Sequence, residues 1–287
     1  MLLFTFLAGI LPAVSAADAP EQTGHPDPGK VYEKYATALA RVFEYHQLFR
    51  EAHPSVDRLH PIAVVEDQHF YVFDLNADTT AYEPAVDFPA PMPVPQGVRA
   101  AFPLEHYDNR PSCVITGDAF DTPTGYVMIF HEFVHCHQSE TVEQELRDAL
   151  PLAQMAMEAN DFMWEINYPF PYDNPEFENR YAGFMDALDR GMSSEALQIR
   201  EELREILSDT EFQYMVWQEW KEGFALYVEN KLRDLAGLNE NMVGRNIPFG
   251  RTAFYAGGSR YIRLLTRENQ ALLNDLRLLF HTLYGMP

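Results

Sequence analysis

Residues 131–135 read His-Glu-Phe-Val-His, and no other stretch of this 287-residue chain is better matched in residue type and spacing to chemistry. On a helix His131 and His135 lie on one face a turn apart, so two imidazole nitrogens can reach one small cation while Glu132 points to its flank. This is the HExxH pattern, which supplies two zinc ligands and a general base from a single turn. Met128, Ile129, Phe130, Phe133 and Val134 surround the polar triplet. Burying two imidazoles and a carboxylate among such neighbours is costly unless something pairs with them, and a metal ion is the simplest partner. Thr122 followed by Pro123 offers an N-cap and a first-turn proline, which starts the helix about two turns ahead of His131.

A catalytic zinc site typically takes three protein ligands and keeps one position open, so a further ligand must come from elsewhere. The glycine and third histidine of the longer metzincin motif would fall at Gln138 and Thr141, and a glutamate at the thermolysin-like spacing would fall at Gln154, which disfavours both arrangements. The aromatic-rich, strongly helical segment Trp217–Glu229 offers Glu222, followed directly by Gly223. At helical spacing Glu222 shares a mainly apolar stripe with Met215, Gln218, Ala225 and Leu226, where a metal would offset the desolvation of its carboxylate. Gly223 would let another helix approach closely. Glu219 and Glu229 lie on or near the same stripe and stand as rival ligands or as partners that orient an imidazole. His137 points away from the face that His131 and His135 share.

With these two segments in this order, the chain resembles the gluzincin metallopeptidases, zinc enzymes with HExxH on one helix and a glutamate ligand on a second. Trp220-Lys-Glu-Gly-Phe-Ala225 is similar to the segment that carries the third ligand in aminopeptidase N-like enzymes and in the peptidase MA-like domain, and the long spacer points to the latter group. The resemblance spans roughly residues 110–285. It implies that Glu222 is the third zinc ligand. It also implies that a tyrosine beyond that ligand hydrogen-bonds the tetrahedral oxyanion, with Tyr255 the first candidate and Tyr261 the alternative. A packing role for either ring stays open. Arg260 and Arg263 could recognise a substrate carboxylate, although a helix-surface charge is the default. In the resembling enzymes an edge strand pairs with an extended peptide, and the strand containing Cys113 is the candidate here.

The activity this implies is zinc-assisted hydrolysis of peptide bonds in a peptide or protein substrate, with Zn2+ polarising the carbonyl and Glu132 moving the proton. The alternative is a gluzincin-fold binding module that acts on an exported partner without catalysis. Such a module has no need of Glu132.

Leu2 to Val14 form a short apolar run, and Val14-Ser15-Ala16 fits a small-residue cleavage site before Ala17, so residues 1–16 read as a signal peptide and the protein as exported, periplasmic or secreted. No cysteine follows that site and the run is short, so no stable membrane anchor is expected. The two cysteines of the chain, Cys113 and Cys136, either form a disulfide worth roughly 3 kcal/mol in the chain-entropy model or remain two buried thiols.

The chain carries 43 acidic and 21 basic residues, a formal charge of -22 that makes nucleic acid and anionic membranes poor partners. Hydrophobic residues make up 47%, enough for a sizeable core. After a Pro, Gly and acid-rich linker at 17–29, residues 30–287 read as one domain, with a mixed lobe over about 30–120 and a helical lobe over about 121–287. A helix is expected over Lys30–His53 and strands over Pro61–Val65, His69–Leu75 and Ser112–Thr116, interrupted by the proline-rich stretch Pro84–Pro95. Helices follow over Thr141–Ala159, Pro175–Met192, Ser194–Leu207, Asp209–Leu235 and, as a pair, about Thr252–Tyr284. The aromatic, proline-rich loop 160–175 has two readings, a lining of the substrate cleft or a packed interhelical connection. The fold class expected is therefore α+β, a small mixed sheet beside the HExxH helix with a larger helical C-terminal lobe.

Overall fold

The computed structural model describes residues 27–285. The expected signal peptide and most of the expected linker lie outside the described residues. The fold is α+β and falls into two compact units. One runs up to Leu48 and again over Arg58–Cys136, while the other comprises Phe49–Asp57 and everything from His137. The division falls inside one continuous helix, α3 (Pro123–Thr141). None of the described helices is long and apolar enough to cross a membrane.

In the first unit α1 (Pro28–Phe49) begins on a proline whose missing N–H costs nothing in a first turn, with Asp27 Oδ1 accepting from Gly29 N at 3.0 Å. Five strands follow: β1 (Ile62–Glu66), β2 (His69–Leu75), β3 (Tyr82–Pro89), β4 (Arg99–Leu104) and β5 (Arg110–Thr116). They form a mixed sheet in the order β3-β2-β1-β5-β4, in which only β1 and β5 run parallel. Asp67 and Gln68, both at positive φ, make the tight turn between β1 and β2, the geometry that a two-residue hairpin requires. One face of the sheet packs Val65, Phe70, Val72, Phe102 and Val114 into a core cluster. On the other, Tyr32 of α1 sets its ring edge-on to Tyr71 and Phe73 at 5.9 and 5.0 Å. Helix α1 is tied in turn to α3 by the stacked Tyr45 and Tyr126 rings and by Tyr126 Oη donating to the Ala38 carbonyl.

Two sequence expectations are corrected here. The proline-rich stretch is not a break, because most of β3 lies within it and β4 follows. Both are edge strands, where Pro84, Pro89 and Pro103 can lack a ladder donor at little cost, and the β2–β3 register shifts between Val72 and Phe73, next to the pairing of Phe73 with Pro84. The strand of Cys113 is consequently interior, hydrogen-bonded to β1 on one side and β4 on the other. It has no open edge for a peptide.

The second unit is helical. The helix expected over 141–159 is two, α4 (Glu143–Ala149) and α5 (Pro151–Glu158), because Pro151 cannot continue the first and instead starts the second. A short α6 (Trp164–Asn167) lies within the aromatic loop, and α7 (Pro175–Asp189) and α8 (Ser193–Ile206) pack as a pair. Then come α9 (Asp209–Gln218), a π-helical turn (Glu219–Gly223), α10 (Phe224–Leu235), α11 (Thr252–Glu268) and α12 (Leu276–Tyr284). Helix α2 (Pro54–Asp57) belongs to this unit as well, anchored by the preceding His53.

The His53 imidazole is buried, with Nδ1 2.8 Å from Ser55 Oγ, Nε2 2.6 Å from the Leu273 carbonyl, and the ring edge-on to Phe224. Burial lowers its pKa from 6.5 to about 4. The folded chain thus refuses a proton that the unfolded chain accepts between these values. The stability this neutral ring contributes is complete above pH 6.5 and declines as pH falls toward 4, by roughly 3 kcal/mol. Urea unfolding of the metal-free protein should show that loss in the wild type and not in His53→Gln. Equal acid sensitivity of the two would remove His53 as the cause.

Candidate metal centre

Helix α3 starts where the sequence predicts. Thr122 Oγ1 accepts from Gly125 N at 3.1 Å, and Gly125 is demanded by packing, since a Cβ there would lie 1.9 Å from the Ala119 carbonyl oxygen. Ile129, Phe130, Phe133 and Val134 are fully buried and fix the helix rotation. With that rotation set, His131, Glu132 and His135 are 5%, 3% and 3% exposed. Glu132 lies on the side of Cys113, whose thiol is pushed well above its ordinary pKa by burial and then by the Glu132 charge.

The two imidazoles converge, with Nε2 atoms 3.2 Å apart and ring planes at 70°. Two nitrogens about 2.0–2.1 Å from one tetrahedral zinc would be separated by about 3.3 Å. A hydrogen bond between neutral imidazoles has a similar length, so the distance alone does not distinguish the two. The ligand atoms of His131, His135 and Glu222 all lie within 4.8 Å of one another, and all three residues are buried. Two imidazoles and one carboxylate are a fitting donor set for a catalytic zinc with one position left open.

Glu222 owes its place to the π turn, whose extra residue per turn is the kind of irregularity often found at functional sites. Each neighbour in the turn is fastened separately. Glu219 accepts from Arg200 Nη1 at 2.8 and 2.6 Å and from Tyr181 Oη at 2.9 Å. Trp220 Nε1 donates to the Leu276 carbonyl at 2.9 Å, and Lys221 Nζ donates to Glu143 and Glu165, both at 2.8 Å. At Gly223 a Cβ would come within 2.8 Å of Gly258 Cα, so α11 crosses here at backbone contact. Gln138, fully buried one turn after His135 on α3, donates from Nε2 to the Trp220 and Lys221 carbonyls at 3.3 and 3.2 Å. That amide ties the register of the π turn to the helix that carries the histidines. Sequence reasoning considered Gln138 only as a position where a glycine was missing, and its one available signal was an uncharged polar residue on a buried helix.

The rival carboxylates are occupied. Glu219 belongs to Arg200, and Glu229 accepts from Arg233 Nε at 2.7 Å and Asn241 Nδ2 at 3.0 Å. His137 is not among the grouped side chains. Cys113 and Cys136 are both buried and no disulfide joins them.

Of the two tyrosines, Tyr255 faces Glu222. Burial and then the Glu222 charge hold its phenol well above the ordinary pKa, so it remains a hydrogen-bond donor at neutral pH. Tyr261 lies two-thirds of a helical rotation away, under the Arg200 guanidinium at 4.9 Å from its ring centroid. Arg260 is spent on Asp189 and the Ala256 carbonyl, and Arg263 pairs at 3.6 Å with Glu240 on the surface. A residue that sequence reasoning did not single out, Arg251, does reach the centre, its Nη1 3.9 Å from Glu222 Oε1. Its only legible signal is its position four residues before Tyr255.

No family model matches the chain, and neither do any curated protein or solved structure.

Proposed function

We propose that the protein is an exported zinc metallopeptidase of the gluzincin type, closest to the peptidase MA-like group. The observation that carries this reading is the approach of His131, His135 and Glu222 to within 4.8 Å, with Glu132 on the same helical turn as the histidines. A structural zinc has no use for a buried carboxylate beside its ligands, whereas hydrolysis does. Zinc held by these three side chains would polarise a carbonyl and acidify a water molecule. Glu132 then accepts the water's proton and delivers it to the leaving amine nitrogen. Tyr255 donates its hydroxyl proton in a hydrogen bond to the carbonyl oxygen as that oxygen gains charge.

The direct test incubates the purified, metal-quantified protein with a peptide mixture and reads cleavage sites by mass spectrometry, with Glu132→Gln as the control. Cleavage confined to the zinc-loaded wild type supports the reading. The donor role makes a separate forecast. Tyr255→Phe removes one hydroxyl whose bond strengthens only as charge develops, so kcat should fall by roughly a hundredfold while zinc content and KM hold. Tyr261→Phe should be close to silent in kcat, and a rate loss there instead would transfer the role.

A further inference from the structure

Arg260, Arg263 and Arg267 lie at i, i+3 and i+7 on α11 and so share one face of that helix. Together with Arg190, which ends α7, they line a cavity of about 360 Å³ formed within the second unit. Gly191, at φ +70°, turns the chain from α7 into α8, and Ser193 at the start of α8 lines the same cavity. Met192 gives α8 no side-chain cap, so the positive end of that helix dipole adds to the four guanidinium groups. Against them the cavity has two acidic residues, Asp189 and Glu240, in a chain with 43 acidic and 21 basic residues. The Asp189 carboxylate is shared between Arg260, at 2.8 Å, and Arg245. Glu240 stands 3.6 Å from Arg263 with both side chains exposed, and Arg190 pairs with the exposed Asp186 and Glu195 at 3.0 and 3.6 Å. Pairs this open to water are weak, so Arg190 and Arg263 can exchange them for a ligand. A second cavity, of about 530 Å³, adjoins the first, since Glu240, Arg263 and Arg267 line both, and Tyr227, Leu238 and Leu273 give it apolar surface.

We propose that the two cavities form a binding site for a phosphate or sulfate monoester, its oxyanion held by Arg190, Arg263 and Arg267 and its organic part seated beside Tyr227, Leu238 and Leu273. Planar guanidinium groups match tetrahedral oxyanions through paired hydrogen bonds, and a cleft lined mainly by one sign of charge concentrates the opposite sign. Like charges gathered on one helix face repel one another, a cost that an anion in the cavity would offset. The volumes fall within the range of about 300–1,000 Å³ common for small-molecule sites. None of the grouped metal-site residues lines either cavity, so the inference stands apart from the zinc-peptidase reading.

The test is calorimetric titration of the purified full chain with phenyl phosphate, phenyl sulfate and inorganic phosphate at constant ionic strength. One of the two esters is expected to bind with a dissociation constant of about 1 mM or below, and about tenfold more tightly than inorganic phosphate because its ring is buried as well. The tighter ester identifies the oxyanion. Replacing Arg263 and Arg267 together by Gln should weaken that binding by at least about tenfold, and Arg190→Gln, on a different helix, should weaken it too, with melting temperature measured for each variant. Arg277→Gln removes an exposed arginine of α12 that lines neither cavity and should leave binding unchanged. Each titration is run with and without zinc, because an oxyanion also binds a zinc ion that has an open position. Binding that requires zinc, binding that survives in the Arg263/Arg267 double variant, an equal loss in Arg277→Gln, or no ester binding more tightly than inorganic phosphate overturns the proposal.

Discussion

Replacing Glu222 with Gln should weaken zinc binding by more than about a hundredfold, beyond the 10–100-fold typical of a residue that merely supports a ligand. His131→Ala and His135→Ala should do the same, while the wild type retains about one zinc per chain after removal of loose metal. Glu219→Gln supplies the contrast. It leaves Arg200 fully buried without its carboxylate, so it should cost about 3–5 kcal/mol of stability while the folded fraction still binds zinc tightly. Competition with a chromophoric chelator, alongside urea unfolding, separates the two effects. Tight zinc in Glu222→Gln would remove Glu222 from the ligand set.

Glu132→Gln has the opposite profile. The amide has the size of the carboxylate and the residue is not among the grouped ligands, so zinc content should stay at the wild-type level. Turnover should drop by at least about a hundredfold because no group remains to take the proton from water. Steady-state rates on any peptide cleaved by the wild type measure this, and a variant as active as the wild type would refute the proposed proton transfer.

The parts of the structure legible in the sequence are those whose cause is local. The α3 cap at Thr122 and the histidine pair depend on a spacing of a few residues, and β1, β2 and β5 show as continuous apolar runs because the sheet buries them. Strands β3 and β4 were hidden by prolines, which count against a strand unless it is known to be an edge, and edge status is a property of the whole sheet. The interior place of the Cys113 strand was illegible for the same reason. Trp217–Glu229 reads as uninterrupted helix, since the π turn is imposed by what fastens it, Arg200, Gln138, Glu143 and Leu276, all distant in sequence. Glu222 was singled out by its resemblance to a known segment and by the adjacent glycine. Arg251 follows a proline- and glycine-containing loop with no periodicity, and its proximity to Glu222 arises only from folding.

The fastening of the π turn also sets an order in time. A chain synthesised from its amino terminus presents His131 and His135 first, Glu222 well afterwards, and the Leu276 carbonyl that holds Trp220 later still. Tight zinc should therefore appear only in chains that extend past Leu276, as a truncation series assayed for retained metal would show, and tight binding by a shorter chain would contradict this. On the proposed reading, acquisition of the ion would then follow synthesis of the segment around Leu276. For a chain that crosses a membrane before it folds, the ion would be drawn from the compartment of arrival, and activity would depend on the zinc supplied there.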